Sequence, residues 1–301
     1  MSAYSDTFNT NFKVLTFFGF WSRKTENIFW KRSYYFYQYF LIFQYATFEL
    51  LQYLYLYNNR HDVEKFNYSL SLTIPTTLYL LKILKSFEKL PDINRLRENL
   101  NRKAENENDE DCKRIIAKAA EEMKFLNKLF YSATFGFIFG FFGLIPFWIK
   151  EEKRLPFPQW FPYNYKITPY YEFSYFFQVF TGVFMIIVLI SVEVANFGFI
   201  ISMSAEYDVL KYHISKLKTC YNEINCEIQN KEMLKNMKGI IVRHQGIIQD
   251  VIKFEEGFSS FNFLQFLQGV LVLAMILFDG NVVSLKYEKF LAVNVRQCCL
   301  K

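Results

Sequence analysis

A chain of 301 residues that is 52% hydrophobic and 20% aromatic, with 36 Phe and 21 Tyr, but only an ordinary 21% charged, must hold its apolar residues in blocks. That segregation marks a polytopic membrane protein and sets the chain apart from a water-soluble domain. The net charge of +6 is spread over the polar blocks with no Lys/Arg-dense run, which argues against nucleic acid as a partner. The five cysteines (Cys112, Cys220, Cys226, Cys298, Cys299) form neither a disulfide framework nor a metal-ligand spacing.

Residues 1–33 are polar-aromatic, with Lys13, Arg23, Lys24, Lys31 and Arg32, and read as a cytoplasmic N-terminal segment. They lack the charged, apolar and small-residue order of a cleaved signal peptide, so the first crossing helix serves as the insertion signal. The membrane-embedded receptor domain is expected over 34–279, as an all-α fold with five crossing helices. The first span is 33–57, where Glu49 is the only charge between Ser33 and Tyr57. Its Tyr and Gln content predicts one face packed on protein. The second, 67–86, is kinked by Pro75, and Lys82 and Lys85 are expected to snorkel to the headgroups. A polar, helix-prone stretch follows, in which Ile116, Ala119, Met123, Leu126 and Phe130 alternate spacings of three and four. That seam leads into the third span, 129–149, and then a Pro- and aromatic-rich loop over 150–173.

The fourth span dominates the chain. Ile167–Leu210 contains neither Lys nor Arg, and within 174–205 only Glu193 is charged. As helix, 174–205 is roughly 48 Å long against a hydrocarbon core of about 30 Å, so the helix continues into the cytoplasm. There Tyr207, Leu210, Ile214, Leu217, Tyr221 and Ile224 repeat at three and four and form a candidate assembly seam. A last approach places Ile240, Ile247, Val251 and Phe254 on one face and feeds the fifth span, 258–278; residues 280–301 form a divergent tail. The amphipathic extensions on one side of the membrane read either as solvated surface helices or as a helical bundle that also mediates assembly.

With the N-terminus inside, 25 of the 35 Lys/Arg fall in cytoplasmic segments and 10 outside, but the inner segments are longer and the densities nearly equal. The sequon Asn67-Tyr68-Ser69 then falls outside, close to the membrane. The N-inside orientation is therefore the expectation.

No catalytic constellation is present, and neither enzyme activity nor a cofactor is expected. His61, His213 and His244 sit in separate polar segments, none with a Cys, His or carboxylate at ligand spacing, and no P-loop, GxSxG or HExxH occurs. Polar and aromatic groups inside the spans are the better candidates, because they are costly there. Ser71, Ile74 and Thr77 near the outer end of the second span, Phe139 and Phe142 in the third, and Tyr175, Gln178 and Thr181 in the fourth would line a pocket for a small, mostly apolar ligand. Plain packing is the competing reading for each aromatic. Glu49 and Glu193 read either as conduction or gating groups or as side chains satisfied by a neighbouring helix.

Two stretches carry a family resemblance. Residues 155–178 read LPFPQWFPYNYKITPYYEFSYFFQ, with Leu155, Pro156, Pro158, Tyr171, Glu172, Tyr175 and Gln178 in the pattern. Residues 243–268 read RHQGIIQDVIKFEEGFSSFNFLQFLQ, with His244, Gln245, Phe258, Ser259, Leu264, Gln265 and Phe266. Together the chain, from about Phe12 to Phe278, resembles the insect odorant receptors. The resemblance implies a seven-helix fold with a cytoplasmic N-terminus and an odour-gated cation channel, assembled as a tetramer with an obligate co-receptor. It implies a small volatile hydrophobic ligand among the outer halves of spans two to six, a cytoplasmic anchor, and multi-pass residence in the plasma membrane of sensory neurons. The chain departs from the family after Phe278, where DGNVVSLKYEKFLAVNVRQCCLK has no long apolar run. The sixth and seventh spans are missing, so the chain reads as truncated. The alternatives to a conducting subunit are a truncated non-conducting or regulatory form and a small-molecule membrane transporter.

Overall fold

The computed structural model describes residues 4–19, 27–144, 153–221 and 227–299. Among them every regular element is helical, as expected: α1 (Ser5–Phe17), α2 (Ile28–Asn58), α3 (Val63–Glu105), α4 (Glu110–Ile138), a π-helical turn Phe139–Leu144, α5 (Tyr170–Tyr221) and α6 (Glu227–Cys299). The chain divides into two compact units. Unit 1 comprises 1–38, 85–145 and 182–259, and unit 2 comprises 39–84, 146–181 and 260–301.

Among the described residues, three stretches are helical, long and apolar enough to cross a membrane: Glu110–Leu144, Tyr170–Leu217 and Met233–Phe278. They take in the expected fourth and fifth spans whole. Part of the expected third span, from residue 145 onward, lies outside the described residues. The expected first and second spans are helical within α2 and α3, but Tyr, Gln and Thr replace aliphatic residues there and hold their apolarity below that of the other three. Half of the apolar window of α5 is buried within the chain, against 6% for α6. The exposed side chains of α6 include Phe263, Phe266, Leu273, Ile276 and Leu277, an apolar surface that suits lipid or a partner and not water.

Unit 1 is built around Phe199 of α5, which is wholly buried. Its ring lies 4.8 Å from Phe8, 5.6 Å from Phe258 and 6.3 Å from Phe254. Helix α1, inside the segment expected only to be polar-aromatic, supplies Phe8, Phe12 and Leu15 to this core, preceded by buried Tyr4. Those four recur at helical spacing along one face. Gly19, with φ of 74°, takes the left-handed position after α1, where a side chain would be strained. The last carbonyls of α1 and its turn are taken up by α2: Tyr34 Oη donates to Thr16 O at 2.6 Å and Gln38 Nε2 to Gly19 O at 2.7 Å. Asp109 caps α4, its carboxylate accepting from Asp111 N at 3.0 Å.

The α4 seam is real. Ile116, Ala119 and Met123 are buried, Leu126 and Phe130 half-buried, and Phe130 stacks on Phe197 at 5.7 Å. Met123 also packs beside Gly198, where an added Cβ would stand 3.0 Å from Met123 Cε and 3.2 Å from Phe8 Cε1. The expected face of α6 also packs inward, with Ile247 buried and Ile240, Val251 and Phe254 half-buried. It carries two charges that the apolar reading left out, Arg243 and Asp250. Asp250 is 2% exposed and paired with Lys103 Nζ at 2.5 Å and Asn99 Nδ2 at 2.6 Å.

Candidate ligand-binding site

In unit 2 a polar network runs between α2 and α3. Hydroxyls and amides inside an apolar helix pair must find partners, since each unmet group there costs several kcal/mol on the order of a lost hydrogen bond or more. Tyr45 Oη donates to Thr76 O at 2.5 Å and to Glu49 Oε1 at 3.3 Å. Thr77 Oγ1 reaches Glu49 Oε2 at 3.0 Å and Tyr53 Oη at 2.8 Å, and Thr76 Oγ1 donates to Gln52 Oε1 at 2.9 Å. Glu49 is thus satisfied by neighbouring side chains, the second of the two readings open for it. Pro75 sits within the continuous helix α3, and Ser71 Oγ bonds back to Tyr68 O at 2.8 Å.

The loop after residue 152 is fastened to both α2 and α5. Gln178 is wholly buried, and each end of its amide is used. Its Nε2 donates to Phe157 O at 2.9 Å and to Gln159 Oε1 at 2.8 Å, while its Oε1 accepts from Phe157 N at 3.0 Å. Gln159 Nε2 in turn donates to Phe48 O at 3.0 Å, and Trp160 N donates to Leu51 O at 3.0 Å. Phe48, itself wholly buried, holds Phe157 edge-on at 5.2 Å and meets Phe177 at 6.2 Å. Further out, Tyr163 Oη and Ser174 Oγ bond at 2.9 Å and Tyr171 Oη donates to Arg154 O at 3.2 Å. Burial pushes the Tyr171 phenol above its ordinary value, with the Glu172 carboxylate adding to it.

Six of the eight residues expected to line a ligand pocket therefore lie in unit 2: Ser71, Ile74, Thr77, Tyr175, Gln178 and Thr181. Gln178 and Thr181 are buried and committed to protein partners; Thr181 Oγ1 accepts from Gln44 Nε2 at 2.9 Å and donates to Phe177 O at 2.8 Å. Ser71, Ile74, Thr77 and Tyr175 are half-buried. Phe139 and Phe142 belong to unit 1, on the π-helical turn, with Phe139 exposed and Phe142 buried. Lys82 departs from the snorkelling expectation. It is 1% exposed, and its ammonium bonds Gln265 and, at 2.7 Å, Gln268, with the Phe261 ring 5.3 Å away. Two polar acceptors and a ring face can replace the water that such a charge would otherwise seek.

The assembly seam of α5 divides. Leu210 is buried within unit 1, Leu217 is half-buried, and Tyr207 and Ile214 are exposed. Tyr221 and Ile224 lie outside the residues whose side chains are described. The inward face instead runs through Phe199, Ser202, Glu206 and Val209.

That face ends in a charged cluster in unit 1 which no local motif announces. Arg243 Nη1 donates to Glu107 Oε2 at 2.6 Å and Nη2 to Glu206 Oε2 at 3.1 Å. His213 Nε2 lies 3.5 Å from the same Nη1, 3.6 Å from Cys112 Sγ and 4.0 Å from Glu107 Oε2. Burial alone would push the Glu107 carboxyl up, but the hydrogen bond and charge of Arg243 outweigh it and hold the group below its ordinary value. Burial, with the Glu107 and Asp109 carboxylates behind it, pushes the Cys112 thiol up to about 11. Lys216 pairs with Asp109 at 2.7 Å on the open side of the cluster.

Known proteins agree with this architecture. The chain is similar to the solved insect olfactory receptor OR5 from Machilis hrabei, with a TM-score of 0.70 and 13% identity over 90% of this chain and 70% of that one. It is similar also to the same receptor in complex with eugenol, with a TM-score of 0.71 and 14% identity over 89% of this chain and 69% of that one. No curated protein matches the sequence. The family model described as 7tm Odorant receptor matches residues 62–293, a stretch that holds the fastened loop and the α2-facing part of α3 and runs beyond Phe278. On that match over most of its length, this multi-pass all-α chain belongs to the 7tm odorant receptor family.

Proposed function

We propose that this receptor is a subunit that takes up small, mostly apolar volatile molecules in unit 2 and gates a cation pathway jointly with a co-receptor. The family match over 62–293 carries the reading. The eugenol complex of the olfactory receptor from Machilis hrabei supports a volatile, aromatic-sized ligand class. The chemistry of unit 2 suits such a ligand. Aromatic and aliphatic burial supplies affinity at about 25 cal/mol per Å2, and a few hydroxyls fix orientation. Half-buried Ile74, Thr77 and Tyr175 are the contact candidates. Fully engaged Gln178 and Thr181 hold the wall in shape.

With the N-terminus inside, the end of α5 beyond the fourth span is cytoplasmic, and its exposed Tyr207 and Ile214 are candidate contacts with the co-receptor in a tetramer. The setting is the plasma membrane of a sensory neuron. The test is co-expression with an odorant co-receptor and recording of odour-evoked current across a panel of volatiles. A ligand-dependent cation current whose half-maximal concentration shifts in Ile74→Ala or Tyr175→Ala supports the subunit. Capture of the co-receptor without current from any ligand would favour the non-conducting, regulatory form.

A further inference from the structure

We propose that Glu107, Cys112 and His213 form a binding site for a divalent zinc-class cation in unit 1, gated by Arg243. The inference goes beyond odour binding and does not depend on it. The three residues offer one oxygen, one sulfur and one nitrogen, all within 4.8 Å of one another. That mixed set is the one zinc takes, and neither magnesium nor calcium favours a thiolate. One edge of the triangle already has the zinc geometry. Tetrahedral zinc, with sulfur at about 2.3 Å and nitrogen at about 2.0 Å, holds those two atoms roughly 3.6 Å apart. Cys112 Sγ and His213 Nε2 are separated by 3.6 Å. The Glu107–His213 edge, 4.0 Å, needs a contraction of roughly 0.7 Å to reach the corresponding value. Such a change is within reach of a side-chain adjustment of Glu107, which sits in the short connection between α3 and α4. Cys112 is wholly buried and His213 is 27% exposed, so the sulfur lies at the back of the site and the imidazole at its mouth, which gives an ion a way in.

The guanidinium of Arg243 now occupies the place of a cation, bonded to Glu107 and 3.5 Å from His213. The structure also holds the place to which it can retreat. Glu206 is 1% exposed, its Oε1 has no hydrogen-bond partner, and Arg243 Nε is likewise buried and unpartnered. Arg243 touches Glu206 through Nη2 alone. Closing a two-pronged contact with Glu206 through Nη2 and Nε would satisfy both orphaned atoms and free Glu107 for the metal. Charge balances in the loaded state: a divalent ion and Arg243 against Glu107, Glu206 and the Cys112 thiolate, the thiol proton leaving to solvent. The ion would tie the α3–α4 connection, α4 and α5 together within unit 1.

The experiment is a Co(II) titration of the full-length chain in detergent micelles, with Cys220, Cys226, Cys298 and Cys299 changed to Ser so that Cys112 is the sole thiol. The expected result is thiolate-to-cobalt charge-transfer absorption saturating at one ion per chain and abolished by excess Zn(II). Cys112→Ser removes that band. His213→Gln and Glu107→Gln each weaken Co(II) binding by about tenfold or more, with helical circular dichroism unchanged. Glu206→Gln, which touches no ligand atom but removes the retreat position of Arg243, also weakens it. If Cys112→Ser does not fold, the His213 and Glu107 variants decide alone. Absence of a saturable sulfur band, or a band of parental affinity in both His213→Gln and Glu107→Gln, overturns the site; parental affinity in Glu206→Gln overturns the gating by Arg243.

Discussion

Replacing Arg243 by Met should be among the most damaging single changes in unit 1, and its cost should depend on pH. The guanidinium bridges Glu107 at 2.6 Å and Glu206 at 3.1 Å, and these carboxylates are 9% and 1% exposed. Met keeps the length of the side chain and removes the charge, which strands two buried carboxylates. Removing one side of a buried ion pair costs about 3–5 kcal/mol, and the partial exposure of Glu107 places the expected loss near the middle, at about 4 kcal/mol. The sign of the pH dependence follows from Glu107. In the parent its folded-state pKa is lowered below the reference 4.5, so its contribution is complete above that value and is lost as pH falls through the folded-state value. Without Arg243, burial is the largest influence left and outweighs the backbone hydrogen bond from Asp109 and the charge of His213, so the folded-state pKa rises and the variant gains stability on acidification. The gap between the two proteins is therefore widest near pH 7 and narrows as the pH falls toward the carboxylate range. Thermal unfolding in detergent, followed by circular dichroism, should show a drop on the order of 5–10 °C at pH 7 and a clearly smaller one near pH 4.5. A loss below about 1 kcal/mol at pH 7, or an equal loss at both pH values, would refute the reasoning.

Three further changes test the packing. Gly198→Val puts a branched side chain where a Cβ already meets Met123 Cε at 3.0 Å and Phe8 Cε1 at 3.2 Å, and should cost about 1–3 kcal/mol; an unchanged melting temperature would count against the close approach of α1, α4 and α5. Phe8→Ala empties a site in contact with Phe199 and should cost about 3–5 kcal/mol, read from the same unfolding curves. Gln178→Leu removes three hydrogen bonds to Phe157 and Gln159, so the loop should loosen by roughly 2–3 kcal/mol and trypsin should cut faster after Arg154 and Lys166. An unaltered cleavage rate would show that Phe48, Phe157 and Trp160 hold the loop without it.

The long helices were legible because a strong period repeats over many residues. Ile116, Ala119 and Met123 read as a seam and pack as one. The run from Ser174 to Ala205 reads as helix and lies wholly inside α5. Helix α1 was not legible. Its apolar face holds only Tyr4, Phe8, Phe12 and Leu15 among Asp6, Asn9, Thr10, Asn11 and Lys13, too short a pattern to stand out against the aromatic background of the chain. The same chemistry misleads in α5. Tyr207, Leu210, Ile214 and Leu217 are the apolar members of the period, yet the inward face of the helix also includes Ser202, Glu206 and the half-buried His213. A seam read from apolarity follows the large side chains; the real one passes through whichever groups find polar partners.

That distinction explains how the two sites escaped or yielded to the sequence. Polar residues within a span, such as Thr77, Gln178 and Thr181, can be picked out one by one because an apolar setting makes each costly. Their hydrogen bonds then show what the cost sustains: Gln178 spends its whole amide on Phe157 and Gln159, and Glu49 is absorbed by Tyr45 and Thr77. In the polar extensions a His, a Cys or a Glu is ordinary, and spacing along the chain is the only local signal of a shared site. Cys112 and His213 are 101 residues apart, and Arg243 is 136 from Glu107. No local pattern can join residues that α3, α4, α5 and α6 bring together only after the helices pack. The buried charge of Arg243 could have raised the question, since it lies on the same face as Ile240 and Ile247, where an uncompensated guanidinium would be expelled. A charge on an inward stripe predicts that a partner exists, and the fold supplies two.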